Sequence, residues 1–545
     1  MTAQPMIGER PRKFEVTAGQ LTWVLIAAVF IGIRLAAVLS LPVGGVELDS
    51  LAGAWQAHAA NADDRFIPTL FQALTSWTFI ATTSEMPARL LAFAASCSIP
   101  FAVWRLRPML GETGAMAVLL TLGFEPFSVL LGATAWMGAF DMPILFWLLV
   151  IAREKELPAW SYGIAGFVAA TAGPIVLPAI AGVAAVRLLQ QDYPPRERLL
   201  WAAGGAVLGG LIAATGFGTG PQDPTLPPIL AFARGFEADW SSASTGALLG
   251  LYGYPILGLG LFAAVYHAYE CWRDDEWPQD SVFLFAVWGL SFAWLVLSWG
   301  TNNPVPFAAA AIPSALLIGK VTPAAMELLG DVVWLYAGPA VAGFTFLALV
   351  AGAFVIDWSR VGRVGDDQEK LIVIGLSIAM VAFSGLLLSA RRTAPALAVP
   401  FVGAAVLLAV SGSANVAFGG PTEPLPSPIS DVQGREIRDI ALNTRTEQGG
   451  LIVIHSDFTD ESTWKMRDSG TIVYASRVPP DATVVVWPVT LPAPDGFAVV
   501  EGQWSFEEIR KGPDGDFLDY LRWLTNRNSL KNSTVPVAVY LRTTQ

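Results

Sequence analysis

The sequence predicts a polytopic helical membrane protein that ends in a small α/β domain. Three observations carry this prediction. Of 545 residues, 54% are hydrophobic and only 14% are charged, where soluble domains carry roughly 25% charged residues. Apolar runs near the length of one bilayer crossing, about 20 residues, recur along the first three quarters of the chain. The composition then changes abruptly at the Pro-rich stretch "GGPTEPLPSPISD" (419–431).

Taken in order, the chain opens with a polar, basic tail, residues 1–18, read as cytoplasmic. The apolar run that follows lacks a small-residue cleavage site, so it reads as a retained span rather than a signal peptide. Hydropathy gives about 13 candidate spans, near 20–41, 87–105, 112–132, 135–152, 158–173, 174–189, 199–217, 246–268, 281–299, 304–320, 331–356, 370–390 and 395–413. Together they make a transmembrane domain over 19–413. With the N-terminus inside, "RLRP", "AREKE", "RLLQQDYPPRER" and "ARR" fall on the cytoplasmic side. Outer loops then hold few basic residues, "DWSRVGRVGDDQEK" being the main exception, and the Lys/Arg bias sets this orientation. It puts the protein in the plasma membrane, with loop 42–86 and everything after about 414 extracytoplasmic.

A linker over 414–430 leads to a domain of ordinary soluble character at 431–545. "GLIVIHSD", "GTIVYAS", "ATVVVWPV" and "PVAVYLRTT" are β-branched runs bounded by turn residues, the pattern of strands. "DVQGREIRDIALNTRTEQ" and "DGDFLDYLRWLTNRN" carry apolar residues at helical spacing. Trp464, Trp487 and Trp504 offer flat faces to a carbohydrate, although a core role suits them better.

Composition also narrows the chemistry. A net charge of −12 argues against a nucleic-acid partner. Two cysteines, Cys97 and Cys271, give no disulfide framework, and His58, His267 and His455 lie too far apart in sequence for a zinc signature. No metal or other cofactor is expected.

The candidate chemistry lies in carboxylates at the outer ends of spans. Loop 42–86 is long, and within it "LDSLAGAWQAHAAN" and "IPTLFQALTSWTFIATT" are amphipathic at helical spacing. Trp55 and Trp77 suit a membrane interface, which describes two helices lying along the outer surface. Glu47 and Asp49 sit where the first span emerges, and a partly desolvated carboxylate there suits base chemistry. On position alone, a loop charge or a helix cap explains them as well. Asp141, in "GAFDMPILFWLLV", opens the fourth span and is equally a good cap. Glu125, in "LTLGFEPFSVLLG", is costly at bilayer depth, but Pro126 after it suggests a broken span.

These features resemble the C-type glycosyltransferases, in the branch of the protein O-mannosyltransferases and the bacterial transferases that add aminoarabinose to lipid A. The resemblance covers roughly residues 20–320, in span order, loop lengths and motifs. Asp49, Pro68, Arg89 and Leu90 stand where that family has an acidic pair, a Pro and an Arg-Leu opening the second span; Asp141 matches its second outer acid. Departures are Ser50 in place of the second acid, Leu51 and Ala52 in place of aromatics, "ATAGP" where a basic residue is usual, and Asn302 and Asn303 where a cation is usual. The resemblance implies an inverting transferase that moves a sugar from a polyprenyl-phosphate donor to an acceptor lipid, glycan or protein on the extracytoplasmic face. It also implies Asp49 as catalytic base, Glu47 or Asp141 as its orienting partner, and Arg65, Arg89 and Arg234 as cations for the donor phosphate. Two other readings stay open: an inactive relative serving as a membrane scaffold subunit, and a lipid-linked sugar transporter. The lack of two related halves counts against the transporter.

Overall fold

The computed structural model describes residues 18–58, 69–214, 249–327 and 433–543, apart from residues 511–531 and a few shorter stretches, together with Ser413. Helix α1 (Ala18–Ser40) forms the first span. Helices α2 (Val46–His58) and α3 (Leu70–Thr78) follow, and then α4 (Met86–Ser96) and α5 (Ile99–Leu110) run nearly end to end. After them come α6 (Glu112–Gly123), α7 (Pro126–Leu131), α8 (Asp141–Arg153), α9 (Ala159–Thr171), α10 (Leu177–Gln190) and α11 (Arg196–Ala214). A π-helical stretch, Leu249–Gly258, leads into α12 (Leu259–Arg273), and α13 (Gln279–Leu297) and α14 (Val305–Glu327) close the described part of the bundle.

Every predicted span up to residue 320 therefore contains helix, while the three predicted spans beyond it lie, apart from Ser413, outside the described residues. Among the described residues, four helical stretches are long and apolar enough to cross a bilayer by themselves: Gly19–Ser40, Met86–Leu110, Gln279–Leu297 and Val305–Glu327. Leu21, Val24, Leu25 and Leu39 on α1, and Leu200, Val207 and Leu211 on α11, are each at least 55% exposed. Such broad apolar exposure is a liability in water and is what lipid tails require. Inside, α9 and α11 meet backbone to backbone: a Cβ on Gly205 would lie 1.9 Å from the carbonyl oxygen of Gly163, the small-residue packing used between helices in lipid.

The helices alternate, so the bundle has two ends. At one end Lys320 of α14 donates to Met109 O of α5 at 3.0 Å, and Arg153 of α8 faces Asp280 of α13 at 3.4 Å. At the other end α2 and α3 cover the mouths of α1 and α4 through a small core of Leu51, Ala52, Phe71, Phe79, Ala88 and Ala135. Helix α3 starts with a capping box: Thr69 Oγ1 accepts from Gln72 N at 3.3 Å, and Gln72 Oε1 accepts from Thr69 N at 3.1 Å, which satisfies two orphan donors of the first turn.

In the C-terminal region, helix α15 (Gly434–Gln448) precedes six strands: β1 (Leu451–His455), β2 (Ile472–Ala475), β3 (Ala482–Pro488), β4 (Phe497–Val499), β5 (Trp504–Arg510) and β6 (Asn532–Arg542). The sheet order is β2-β1-β3-β6-β4, with β5 also on β6. β1 pairs parallel with β2 and β3, and β6 runs antiparallel to β3, β4 and β5. All four expected strands are present. β4 and β5 were not expected, because β4 has only three residues and β5 carries Glu507 and Glu508 across a break in its pairing with β6. The second expected helix and Trp464 lie outside the described residues. Trp487 and Trp504 are buried in the apolar layers on the sheet, in the core role.

β3 is buried along its whole length, and Ile437 and Ala441 of α15 pack on Ile452, Ile454 and Val484. A sheet with its own core and a Pro-rich approach is expected to fold alone. Residues 431–545 expressed by themselves should unfold in one cooperative transition; a gradual melt would show dependence on the helical bundle.

Candidate functional site

The site builds up from the last turn of α1. Its final carbonyls lack intrahelical partners, and Arg89 supplies them: Nη1 donates to Leu41 O at 2.7 Å and to Val38 O at 3.3 Å. Arg89 stands in the first turn of α4, two residues after Pro87. Its other edge faces Glu47 of α2 in a bidentate pair, Nε to Oε1 at 2.7 Å and Nη2 to Oε2 at 2.6 Å. Glu47 Oε1 also accepts from Ala135 N at 2.9 Å. Both side chains are about 2–4% exposed.

One ion pair thus fastens four pieces of chain that meet at this end: the close of α1, the start of α2, the start of α4 and the connection between α7 and α8. Two ions taken out of water are tolerated only with such geometry and with their remaining hydrogen-bonding groups satisfied. Leu51 and Ala52 of α2, which stand where aromatics were expected, are buried. Asp49 lies in the first turn of α2, one helical turn or less from the clamp.

Asp141 is 1% exposed and opens α8. It does not cap its own helix. Its carboxylate reaches across to the start of the next hairpin, where Oδ1 accepts from Gly173 N at 2.7 Å and Oδ2 from Ile175 N at 3.3 Å. These amides lead the 3-10 turn Pro174–Val176 and then α10, so Asp141 sets where α10 begins. The approach needs a glycine: a Cβ on residue 173 would lie 2.5 Å from Asp141 Oδ2.

Glu125 breaks its span, as Pro126 suggested. It caps α7, with Oε1 accepting from Phe127 N at 2.9 Å and Oε2 from Ser128 N. Beside it lies Arg34, which the sequence reading passed over. Arg34 is fully buried in the first span. It donates to Phe30 O at 3.2 Å, Leu122 O at 3.1 Å and Ser128 Oγ at 2.7 Å, and its guanidinium lies 3.4 Å from the Phe30 ring centroid. Arg34 thereby holds the broken end of α6 and the start of α7 against α1. The available signal was the cost of any cation deep in an apolar span.

The structure thus brings together Glu47 and Arg89, and has Asp141 and Glu125 each accept from backbone amides at a helix start. Arg65 and Arg234 lie outside the described residues. Among the described residues no group of His, Cys, Asp and Glu is arranged to hold a metal ion.

No protein-family model matches this sequence, and no functionally curated protein matches it. Solved structures do. ArnT from Cupriavidus metallidurans bound to undecaprenyl phosphate is similar over 97% of this chain and 99% of its own, with a TM-score of 0.55 at 11% identity. The apo form of the same ArnT is similar over 87% of this chain and 94% of its own, with a TM-score of 0.52 at 15% identity. The fold of this chain, helical bundle and C-terminal sheet domain together, is that of ArnT, at low sequence identity.

Proposed function

We propose that this protein is an integral-membrane inverting glycosyltransferase. Its donor is a sugar on a polyprenyl phosphate, and its acceptor is a lipid, glycan or protein hydroxyl on the extracytoplasmic face. The observation that carries this reading is a fold match along nearly the whole of both chains to a protein whose structure holds undecaprenyl phosphate.

The local geometry supports a division of roles. Both oxygens of Glu47 are engaged by Arg89 and Ala135, so the proton-taking role goes to Asp49, two residues on. Asp49 removes the proton of the acceptor hydroxyl, and the oxygen attacks the anomeric carbon on the face opposite the phosphate. The bond from that carbon to the phosphate oxygen breaks, and polyprenyl phosphate leaves with the electron pair. Arg65 and Arg234 are the cations for that leaving charge, since stabilising developing charge is commonly the largest catalytic term. Arg89 acts through Glu47, holding α2 in place, and Asp141 acts through the start of α10.

Photoreactive undecaprenyl phosphate tests the donor assignment. Crosslinks are expected on peptides from 42–96, and unlabelled undecaprenyl phosphate should compete them away. Labelling no stronger there than with a photoreactive phospholipid refutes the donor class. The orientation has its own test, an alkaline phosphatase fused after Gln545. Expressed in a bacterial host, it should be active, and an active cytoplasmic reporter at the same point contradicts the topology.

A further inference from the structure

Along the seam between α9 and α11 a groove of about 700 Å³ opens toward lipid, within the size range of small-molecule sites, roughly 300–1,000 Å³. Trp160, Ile164 and Phe167 of α9 make one wall, and Leu200 and Leu208 of α11 make the other. Between them Gly204 forms the floor, beside the Trp201 ring that lies across Gly163.

Close helix packing explains two of the glycines here. A Cβ on Gly205 or on Gly163 would strike the neighbouring helix, 1.9 Å from Gly163 O in the first case and 3.1 Å from the Trp201 ring in the second. Packing does not explain Gly204, where an added Cβ meets nothing within 4 Å. Glycine weakens a helix interior, and no neighbour demands one at this position. What a side chain at residue 204 would do is fill the groove.

Depth and charge identify the occupant. The mouth lies at the helix starts, with Trp160 the second residue of α9 and Glu197 the second of α11, and Trp is favoured at headgroup level. The far end closes at Phe167, whose carbonyl oxygen would lie 2.8 Å from a Cβ on Gly209. On α11 the lining runs from Glu197 to Leu208, about 16 Å at a rise of about 1.5 Å per residue. That is close to half of the hydrocarbon core, which is about 30 Å thick. A membrane-spanning helix, from a partner or a second copy, needs a seam through both leaflets; a lipid chain needs one. At the mouth Glu197 enters the lining and Arg196 is exposed beside it, while Arg198 is turned to the Tyr162 hydroxyl at 3.4 Å. An anion next to a cation complements a zwitterionic headgroup, whereas a polyprenyl phosphate would bring only negative charge to Glu197.

We propose that this groove holds one acyl chain of a zwitterionic phospholipid, taken from the leaflet in which α9 and α11 begin. The chain lies over Gly204 between the walls of Ile164 and Leu200 and ends against Phe167.

Photolabelling of the full chain tests this, in nanodiscs of phosphatidylcholine doped with a phosphatidylcholine that carries a diazirine midway along one acyl chain. Label per residue over 160–167 and 200–208 should be about threefold denser than over 21–39 of α1, an exposed apolar surface without such a groove. Gly204→Leu should bring it down to the α1 level without lowering the melting temperature, since the new side chain enters open space and leucine favours helix. Gly204→Ala should lie between the two and decides the matter if the leucine variant folds poorly. Equal labelling of the groove and α1 overturns the proposal, as does label undiminished in both Gly204 variants. Loss of label on adding an equal fraction of undecaprenyl phosphate overturns it in favour of a prenyl chain. A disulfide-linked dimer of Ile164→Cys formed in the membrane overturns it in favour of a second copy.

Discussion

Asp49→Asn is expected to lower sugar transfer by about 100-fold or more, the contribution of a positioned general base. The substitution keeps size and polarity and removes only the ability to take a proton. The variant should reach the membrane at the parental level and melt at the parental temperature. That combination, a folded protein with little turnover, separates a catalytic role from a capping one. A cap lost at the first turn of α2 costs on the order of 1 kcal/mol of stability and leaves the chemistry largely in place. A scaffold subunit predicts a third outcome, in which neither transfer nor assembly changes.

Arg89→Ala is expected to have the largest effect on stability, roughly 3–5 kcal/mol, the usual penalty when one partner of a buried ion pair is removed. Glu47 would then stay buried with one N–H donor, Ala135 N, and the carbonyls of Val38 and Leu41 would lose theirs. Glu47→Ala should cost a similar amount for the converse reason, a guanidinium buried without its carboxylate. The double variant should be less destabilised than the sum of the two, since the second change removes an already orphaned charge. Thermal melts of the detergent-solubilised protein, read beside expression level, give these numbers. Should Arg89 serve the donor phosphate instead, Arg89→Ala would leave the melt unchanged and weaken only donor affinity.

The sequence and the structure agree where local pattern decides. Apolar runs marked the helices, the amphipathic pieces of loop 42–86 became α2 and α3, and four strands of the tail followed from β-branched runs between turn residues. Pro126 announced the break that Glu125 caps. Agreement stops where a residue's role depends on a partner far along the chain. Glu47 and Asp49 look alike in sequence, two acids at the mouth of one span, and nothing local announces that Glu47 pairs with Arg89, 42 residues on. Arg89 itself read as a phosphate ligand because a cation after an outer loop has that appearance until its acceptors are known. Asp141 read as a second outer acid of the site or as a cap for its own helix, and the amides it accepts from are 32 and 34 residues away. Arg34 was hidden by its setting, because its acceptors are backbone carbonyls and a serine, which no motif records.

The most direct test of the central claim follows the leaving group. Membranes containing the full chain, supplied with a panel of undecaprenyl-phosphate sugars and an envelope acceptor fraction, should release free undecaprenyl phosphate from one of them. Release should fall about 100-fold with Asp49→Asn at matched protein level. Release undiminished in a well-expressed Asp49→Asn protein, or no release above membranes lacking the chain with any donor, contradicts the account.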